Sequence, residues 1–307
     1  MSDPLVVEVE RSGVVESTHL ADVAVVDERG DLVAWAGDPE RPAAYRSSAK
    51  PMQARASLEA GWAPADDRAL AIACASHNGE PDHVAAVRAV LSAAGLDESA
   101  LRCPPDVPLF PAAARSVAEP SPIFHNCSGK HAAMLAACRA AGWPLESYLL
   151  PEHPLQQRVR AVVETLVGAL EGPLVDGCGV PTFVAPLRAL ADGFRRIDGG
   201  VEAAAMRGHP FLVAGTERLD TDLMAADPRI LVKGGAEGLA CLSVDGFGVA
   251  VKIRDGSARA RGPAVLSVLD QCGIGGGISL PQHREPAVLG GGVRVGSVRA
   301  RGLLERA

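Results

Sequence analysis

The strand-forming runs of this 307-residue chain lie at its two ends, and the long stretch between them reads as helix. Ala21–Val26 and Leu32–Ala36 are apolar runs joined by the polar, glycine-bearing Asp27–Asp31, a pattern that predicts a β-hairpin. Leu239–Val244 and Val249–Ile253 repeat it across Asp245-Gly246, and Leu5–Val9 and Val293–Val298 read as further strands. From about Asp66 to Met224, segments of helical character are broken by Gly and Pro. Helices are expected over Asp82–Ala94, Ser128–Ala141, Pro154–Leu170 and Pro181–Ala191, with one more over Ala258–Leu269 before the glycine-rich Gly273–Gly277. No internal repeat is evident. The expected fold is α+β: one antiparallel sheet formed from both chain ends, with a mainly helical middle. A single unit over 1–307 is expected, with a sheet subdomain at about 1–65 and 230–307 and a helical subdomain at about 66–229.

Composition narrows the function classes. Hydrophobic residues make up 48% of the chain against 22% charged, enough to bury a sizeable core. A formal charge of -7 and the lack of any basic run argue against a nucleic-acid surface. The N-terminus lacks the basic flank and apolar block of a signal peptide, and no apolar stretch approaches membrane-spanning length. A cytoplasmic protein acting on a small molecule is the expectation. The 7 scattered cysteines do not look like a disulfide framework. Lysine is scarce: Lys50, Lys130, Lys233 and Lys252 stand among 30 basic residues. These four are candidates for chemistry that arginine, which cannot deprotonate, does not support.

Lys50 lies three residues after Ser47 in Tyr45-Arg46-Ser47-Ser48-Ala49-Lys50-Pro51-Met52. A helix is predicted from Ser47 to Ala60, with Pro51 tolerated in the first turn and Gly61 closing it. Positions i and i+3 share a helical face, so a desolvated Lys50 can serve as base to a Ser47 nucleophile. The plainer alternative is a capping serine followed by a surface lysine.

Three further stretches carry candidate chemistry. Ser76 and Asn78, in Ala75-Ser76-His77-Asn78-Gly79-Glu80, form the Ser-x-Asn companion of Ser-x-x-Lys in serine penicillin-recognising enzymes; otherwise the stretch is an ordinary polar loop. Lys252 alternates with apolar Val251 and Ile253 on the late strand, either as a second active-centre cation or as a solvated lysine. Lys233-Gly234-Gly235 looks more like the Lys-Thr-Gly companion motif in letters but sits among glycines, and Lys252 is preferred for its strand. Finally, His125-Asn126-Cys127-Ser128-Gly129-Lys130-His131 and Asp176-Gly177-Cys178-Gly179 bring two thiols near His and Asp, as a zinc site or as buried thiols beside a helix capped by Ser128.

In their order along the chain, the Arg46–Pro51, Ser76–Glu80, His125–His131, Asp176–Pro181 and Lys252–Gly256 blocks resemble the asparaginase II family, the rhizobial-type L-asparaginases. The likeness spans nearly the whole chain. It implies a serine β-lactamase/glutaminase-like fold and a catalytic unit that hydrolyses L-asparagine to L-aspartate and ammonia. By position it implies Ser47 as nucleophile, Lys50 as its base, and Ser76 and Lys252 as the second serine and lysine. It further implies Cys127, Lys130 and Cys178 as zinc ligands, with Asp176 acting through water, a homodimer, and no organic cofactor. Two other readings of the same residues are a penicillin-recognising hydrolase or peptidase and a non-catalytic, zinc-stabilised amino-acid-binding protein.

Overall fold

A computed structural model describes residues 2–307, which fall into two compact units. The first comprises 2–48, 184–198 and 222–307, and the second comprises 49–183 and 199–221.

The first unit is built on an antiparallel sheet drawn from both ends of the chain. Leu5–Arg11 pairs on one side with Val14–Val26 and on the other with Val293–Arg301, placing Val6 opposite Arg301. Ala287–Gly290 extends the sheet beyond Val293–Arg301. In the other direction, Val14–Val26 pairs with Phe247–Ile253, then come Leu239–Val244 and Leu231–Gly234. Leu32–Ala36 returns along Val14–Val26, as the first hairpin signal requires, with a register shift at Val25/Val26. Every residue of Leu239–Val244 is buried, so both faces of that strand are covered. Helices Leu187–Ile197 and Arg261–Cys272 pack against it. Gly248 lets the first of these come close, because a Cβ there would lie 2.1 Å from the Ala191 carbonyl oxygen.

The second unit is mainly helical. Its principal helices are Lys50–Glu59, Asp67–Ala73, Pro81–Ala93, Ser128–Ala141, Pro154–Val167 and Val201–Gly208. Ser128–Ala141 forms where expected and ends on Gly142, whose φ of 69° suits the left-handed cap. It is buried at every position from Ser128 to Cys138, as a central helix must be. Among the described residues, no helix is long and apolar enough to cross a membrane.

Several expected elements differ. Ser47–Ala60 is not one helix: Arg46–Ala49 is a 3-10 turn, and the α-helix starts at Lys50 and ends at Glu59. Pro154–Leu170 stops at Val167, because Gly168 leaves helical geometry. Pro181–Ala191 is a strand over Pro181–Pro186 followed by a helix over Leu187–Ile197. The β-forming Thr182-Phe183-Val184 outweigh the helix-start signal of Pro181, and Pro186 is the residue before the helix. That helix belongs to the sheet unit, and Lys50–Glu59 belongs to the helical one, so the divisions near 65 and 230 fall elsewhere. Lys233 is on a strand after all, one of four buried residues in Leu231–Gly234, which pairs it with Cys241.

Candidate active site

In the helical unit the site begins with Lys50. As the first residue of its helix, the side chain is wholly buried, and its ammonium finds partners on segments distant in sequence. Lys50 Nζ donates to the Ala75 carbonyl at 2.5 Å, to Ser76 Oγ at 2.9 Å and to the Asn126 carbonyl at 3.4 Å. Burial depresses the Lys50 pKa; Cys127 opposes that, and the neighbouring Lys130 charge adds to it. A lysine held this way is closer to the neutral amine a base must be.

Ser76 sits in the irregular stretch between Asp67–Ala73 and Pro81–Ala93, and backbone pairing to a remote segment holds it. Ser76 N–H donates to Val213 O and Asn78 N–H to Ala214 O, both at 2.9 Å. His77 serves the same framework. Its Nδ1 accepts from Gly79 N–H at 3.1 Å, which leaves the proton on Nε2 to donate to Ser128 Oγ at 2.9 Å. Ser128 Oγ in turn donates to the Ile123 carbonyl, so it is a buried link rather than only a helix cap. With both ring nitrogens engaged and burial driving its pKa well down, His77 is a neutral structural residue.

The cysteine segments converge in this unit. Lys130 Nζ donates to Cys178 Sγ at 2.9 Å, and Cys178 Sγ lies 3.7 Å from Asp176 Oδ2. A tight turn places both: Asp176 N–H donates to Val180 O and Gly179 N–H to Asp176 O. Cys127 closes the N-terminus of Ser128–Ala141, where its N–H donates to His125 Nδ1 at 3.0 Å and its Sγ contacts Asn126 Oδ1 at 2.9 Å. Cys127 is held well below the ordinary thiol range by a hydrogen bond from Cys178 and by the Lys50 and Lys130 charges, against the opposing effect of burial. Cys178 is raised by that same bond and by burial. Burial pulls Lys130 down, but the charges on Cys178, Cys127 and Asp176 prevail and hold it above the ordinary lysine value. Cys127, Cys178 and Lys130 are all buried, a donor set that fits zinc once the ion displaces the protons of the Cys178 thiol and the Lys130 ammonium. Among the described residues, no group of three His, Cys, Asp or Glu side chains is arranged to hold a metal; this set depends on the lysine.

In the sheet unit, Ser47 is half-buried in the Arg46–Ala49 turn, and Ser48 is buried with its Oγ donating to the Lys233 carbonyl at 2.9 Å. Ser48 is thereby occupied, which leaves Ser47 as the hydroxyl of the doublet in Ser-x-x-Lys register. Gly235 makes the approach feasible, since a Cβ there would stand 2.9 Å from Ser48 Oγ and 3.0 Å from the Tyr45 carbonyl. Lys233 is fully buried, and its Nζ donates to Gly234 O at 2.7 Å. Lys252 is half-buried opposite Asp22 in the sheet, and its Nζ donates to Ile253 O at 2.5 Å. Burial lowers its pKa, with Glu237 opposing. Asp22 itself is buried under Arg254, which grips both of its oxygens at 2.7 and 2.9 Å, and Arg41 adds a third contact.

Of the expected site residues, Lys50 meets Ser76, and Lys130 meets Cys178 close to Cys127 and Asp176. Sequence reasoning did not find the partners that hold the Ser76 loop, Thr216 and Arg218. Their one signal was Gly215, which adopts φ +114° in a Gly-Thr-Glu-Arg stretch.

An α+β chain with buried serine–lysine and cysteine–lysine pairs has the makings of a hydrolase centre. The L-asparaginase II family profile matches residues 7–300, and the chain belongs to that family. No curated protein matches the chain. Among solved structures, a crystal structure of Mglu is 16% identical over 82% of this chain and 66% of its own, with a TM-score of 0.35. A crystal structure of Mglu in its native form gives 16%, 82%, 64% and 0.35, and one of native Mglu in 4.3 M NaCl gives 16%, 80%, 59% and 0.33. The chain thus spans 66% or less of the length of these structures.

Proposed function

We propose that the protein hydrolyses L-asparagine to L-aspartate and ammonia through a serine ester. The observation that carries this reading is the buried Lys50, depressed in pKa and hydrogen-bonded to a serine hydroxyl, in a chain of the asparaginase II family. Lys50 as neutral amine takes the proton of Ser47, three residues earlier on the same segment. Ser47 attacks the side-chain amide carbon, Ser76 relays a proton from Lys50 to the departing ammonia, and water then hydrolyses the ester. Lys252 keeps the role that the family resemblance implies, as second lysine of the centre. Cys127, Lys130 and Cys178 would hold zinc with Asp176 beside them; when bound, it would supply a positive charge that orients substrate. The assembly we expect is a homodimer of a cytoplasmic enzyme.

One observation favours a second assignment. Lys50 donates to Ser76, 2.9 Å away, which makes Ser76 an alternative nucleophile with Lys50 still the base. Two measurements test the proposal together: ammonia release from asparagine by the wild type, Ser47→Ala and Ser76→Ala, and peptide mapping after trapping with a diazoketone analogue of asparagine. We expect the label on Ser47, as an ether formed with loss of N2, and no turnover in Ser47→Ala at unchanged melting temperature. Full activity in Ser47→Ala with the label on Ser76 transfers the nucleophile to Ser76. Absence of ammonia release by the wild type overturns the asparaginase reading.

A further inference from the structure

The loop after Val213 reaches back more than a hundred residues to hold the Ser76 segment. Besides the backbone pair from Ser76 to Val213 and Asn78 to Ala214, the side chains interlock. Asn78, buried, donates through Nδ2 to the Thr216 carbonyl at 2.9 Å and accepts at Oδ1 from Arg218 Nη1 at 2.8 Å. Glu80 takes Thr216 with both oxygens: Oε1 accepts from the Thr216 N–H at 2.9 Å and Oε2 from its hydroxyl at 2.7 Å. Gly215 lies between these contacts, where a Cβ would be 2.5 Å from Glu80 Oε1 and 2.8 Å from Asn78 Nδ2. Asn78 therefore has both ends of its amide fixed and sits two residues from a hydroxyl whose value lies in its distance to Lys50. The Ser76 stretch has no helix or strand to define its path, so tertiary hydrogen bonds define it, and these are the ones that hold its Asn78 and Glu80 side chains.

We infer that Arg218 and Thr216 are positioning residues for Ser76, acting through Asn78 and Glu80 to fix the Ser76 hydroxyl on Lys50. The inference rests on the amidohydrolase reading for its kinetic consequence, but not for its structural one. A displacement of 1 Å at a reacting group costs about 100-fold in rate, so loosening the brace acts on kcat. Neither residue needs to touch substrate, so KM stays within about twofold, the pattern of an interaction lost from the transition state rather than from binding.

The test measures kcat and KM for asparagine in Arg218→Ala, Arg218→Lys and Thr216→Val, together with hydrogen exchange of the Ser76 and Asn78 amides. Arg88→Ala, at an exposed pair with Glu98, is the control. We expect kcat to fall about 10- to 100-fold in Arg218→Ala, with faster exchange at both amides and unchanged protection in Ser128–Ala141. Arg218→Lys, which can still donate to Asn78 Oδ1, restores much of both. Thr216→Val, which removes one hydroxyl and keeps its backbone bonds, gives a smaller loss in the same direction and covers the case that Arg218→Ala does not fold. Two results overturn the inference: wild-type exchange at Ser76 and Asn78 in both Arg218→Ala and Thr216→Val, or a raised KM at unchanged kcat, which would make Arg218 a substrate contact. If the wild type releases no ammonia from asparagine, the asparaginase reading fails, and the exchange data still decide whether the brace holds Ser76.

Discussion

Gly129 offers a test in which two effects of known size oppose each other. It is the second residue of Ser128–Ala141, one position before Lys130 and two after Cys127. A Cβ built there stands 2.2 Å from the Ile72 carbonyl oxygen and 2.9 Å from the Ile72 carbonyl carbon, while ordinary contact begins at 3.4 Å. The helix must therefore move by about 1.2 Å, and the obstacle is backbone of Asp67–Ala73, which cannot swing aside. Alanine gains about 1 kcal/mol over glycine in a helix. Overpacking a buried contact costs about 1–3 kcal/mol, and a backbone obstacle puts this position at or above the upper end. The clash wins, and Gly129→Ala is expected to lose about 2 kcal/mol net. In a unit of this size that lowers Tm by roughly 4–8 °C. Gly208→Ala is the comparator: it ends helix Val201–Gly208 with nothing within 4 Å of its Cβ, and there the propensity gain stands alone. Differential scanning calorimetry of both variants against the wild type decides. A Gly129→Ala protein as stable as the wild type would refute the packing of these two helices. The same shift displaces Lys130 and Cys127 from their present places beside Cys178, so asparagine hydrolysis is expected to fall in parallel.

Two further outcomes follow from the two units. In Asp22, burial alone would raise the carboxyl pKa, but the Arg254 hydrogen bonds and the Asp38 N–H prevail and hold it below the ordinary value. Its contribution to stability is thus complete above the ordinary carboxylate range and is lost as pH falls through the depressed folded value. Asp22→Asn should remove that portion of the acid slope in urea melts taken from pH 6 to pH 3, and an unchanged slope would exclude Asp22 as its source. For the cysteine group, metal analysis of the wild type and of Cys178→Ser should show zinc in the first and a marked loss in the second; equal content in both would exclude Cys178 as a ligand.

How far the sequence was legible depended on whether a signal was local. Ser128–Ala141 announced both ends, with Gly142 at its close, and each late hairpin strand was marked by its turn. The strand Glu171–Val175 was not expected: it is exposed throughout and opens with Glu171-Gly172-Pro173, residues that carry no strand pattern. Lys233 was set aside because its glycines suggested a loop, yet one of them, Gly235, is what allows the chain after the strand to meet the Tyr45–Ser48 turn. Ser76 and Lys50 were each nominated by a short motif. That the amine of one would rest on the hydroxyl of the other, 26 positions away, is a tertiary fact with no local sign. The Thr216 and Arg218 contacts with Asn78 and Glu80, 136 to 140 positions apart, were invisible for the same reason.

The pairing of Val6 with Arg301 also sets the order in which a ribosome can build this protein. The partner of Leu5–Arg11 is synthesised roughly 300 residues after it, a wait of about 15–60 s at usual elongation rates of about 5–20 residues per second. The last segment of the helical unit ends at Thr221, before Leu231–Gly234, Leu239–Val244 and Phe247–Ile253 have been made. Helical packing can therefore finish while Leu5–Val26 still shows unpaired strand edges to the cell, the condition in which nascent chains aggregate or recruit chaperones. Yield in expression should consequently respond to translation speed and chaperone supply more than the stability of the finished fold would lead one to expect.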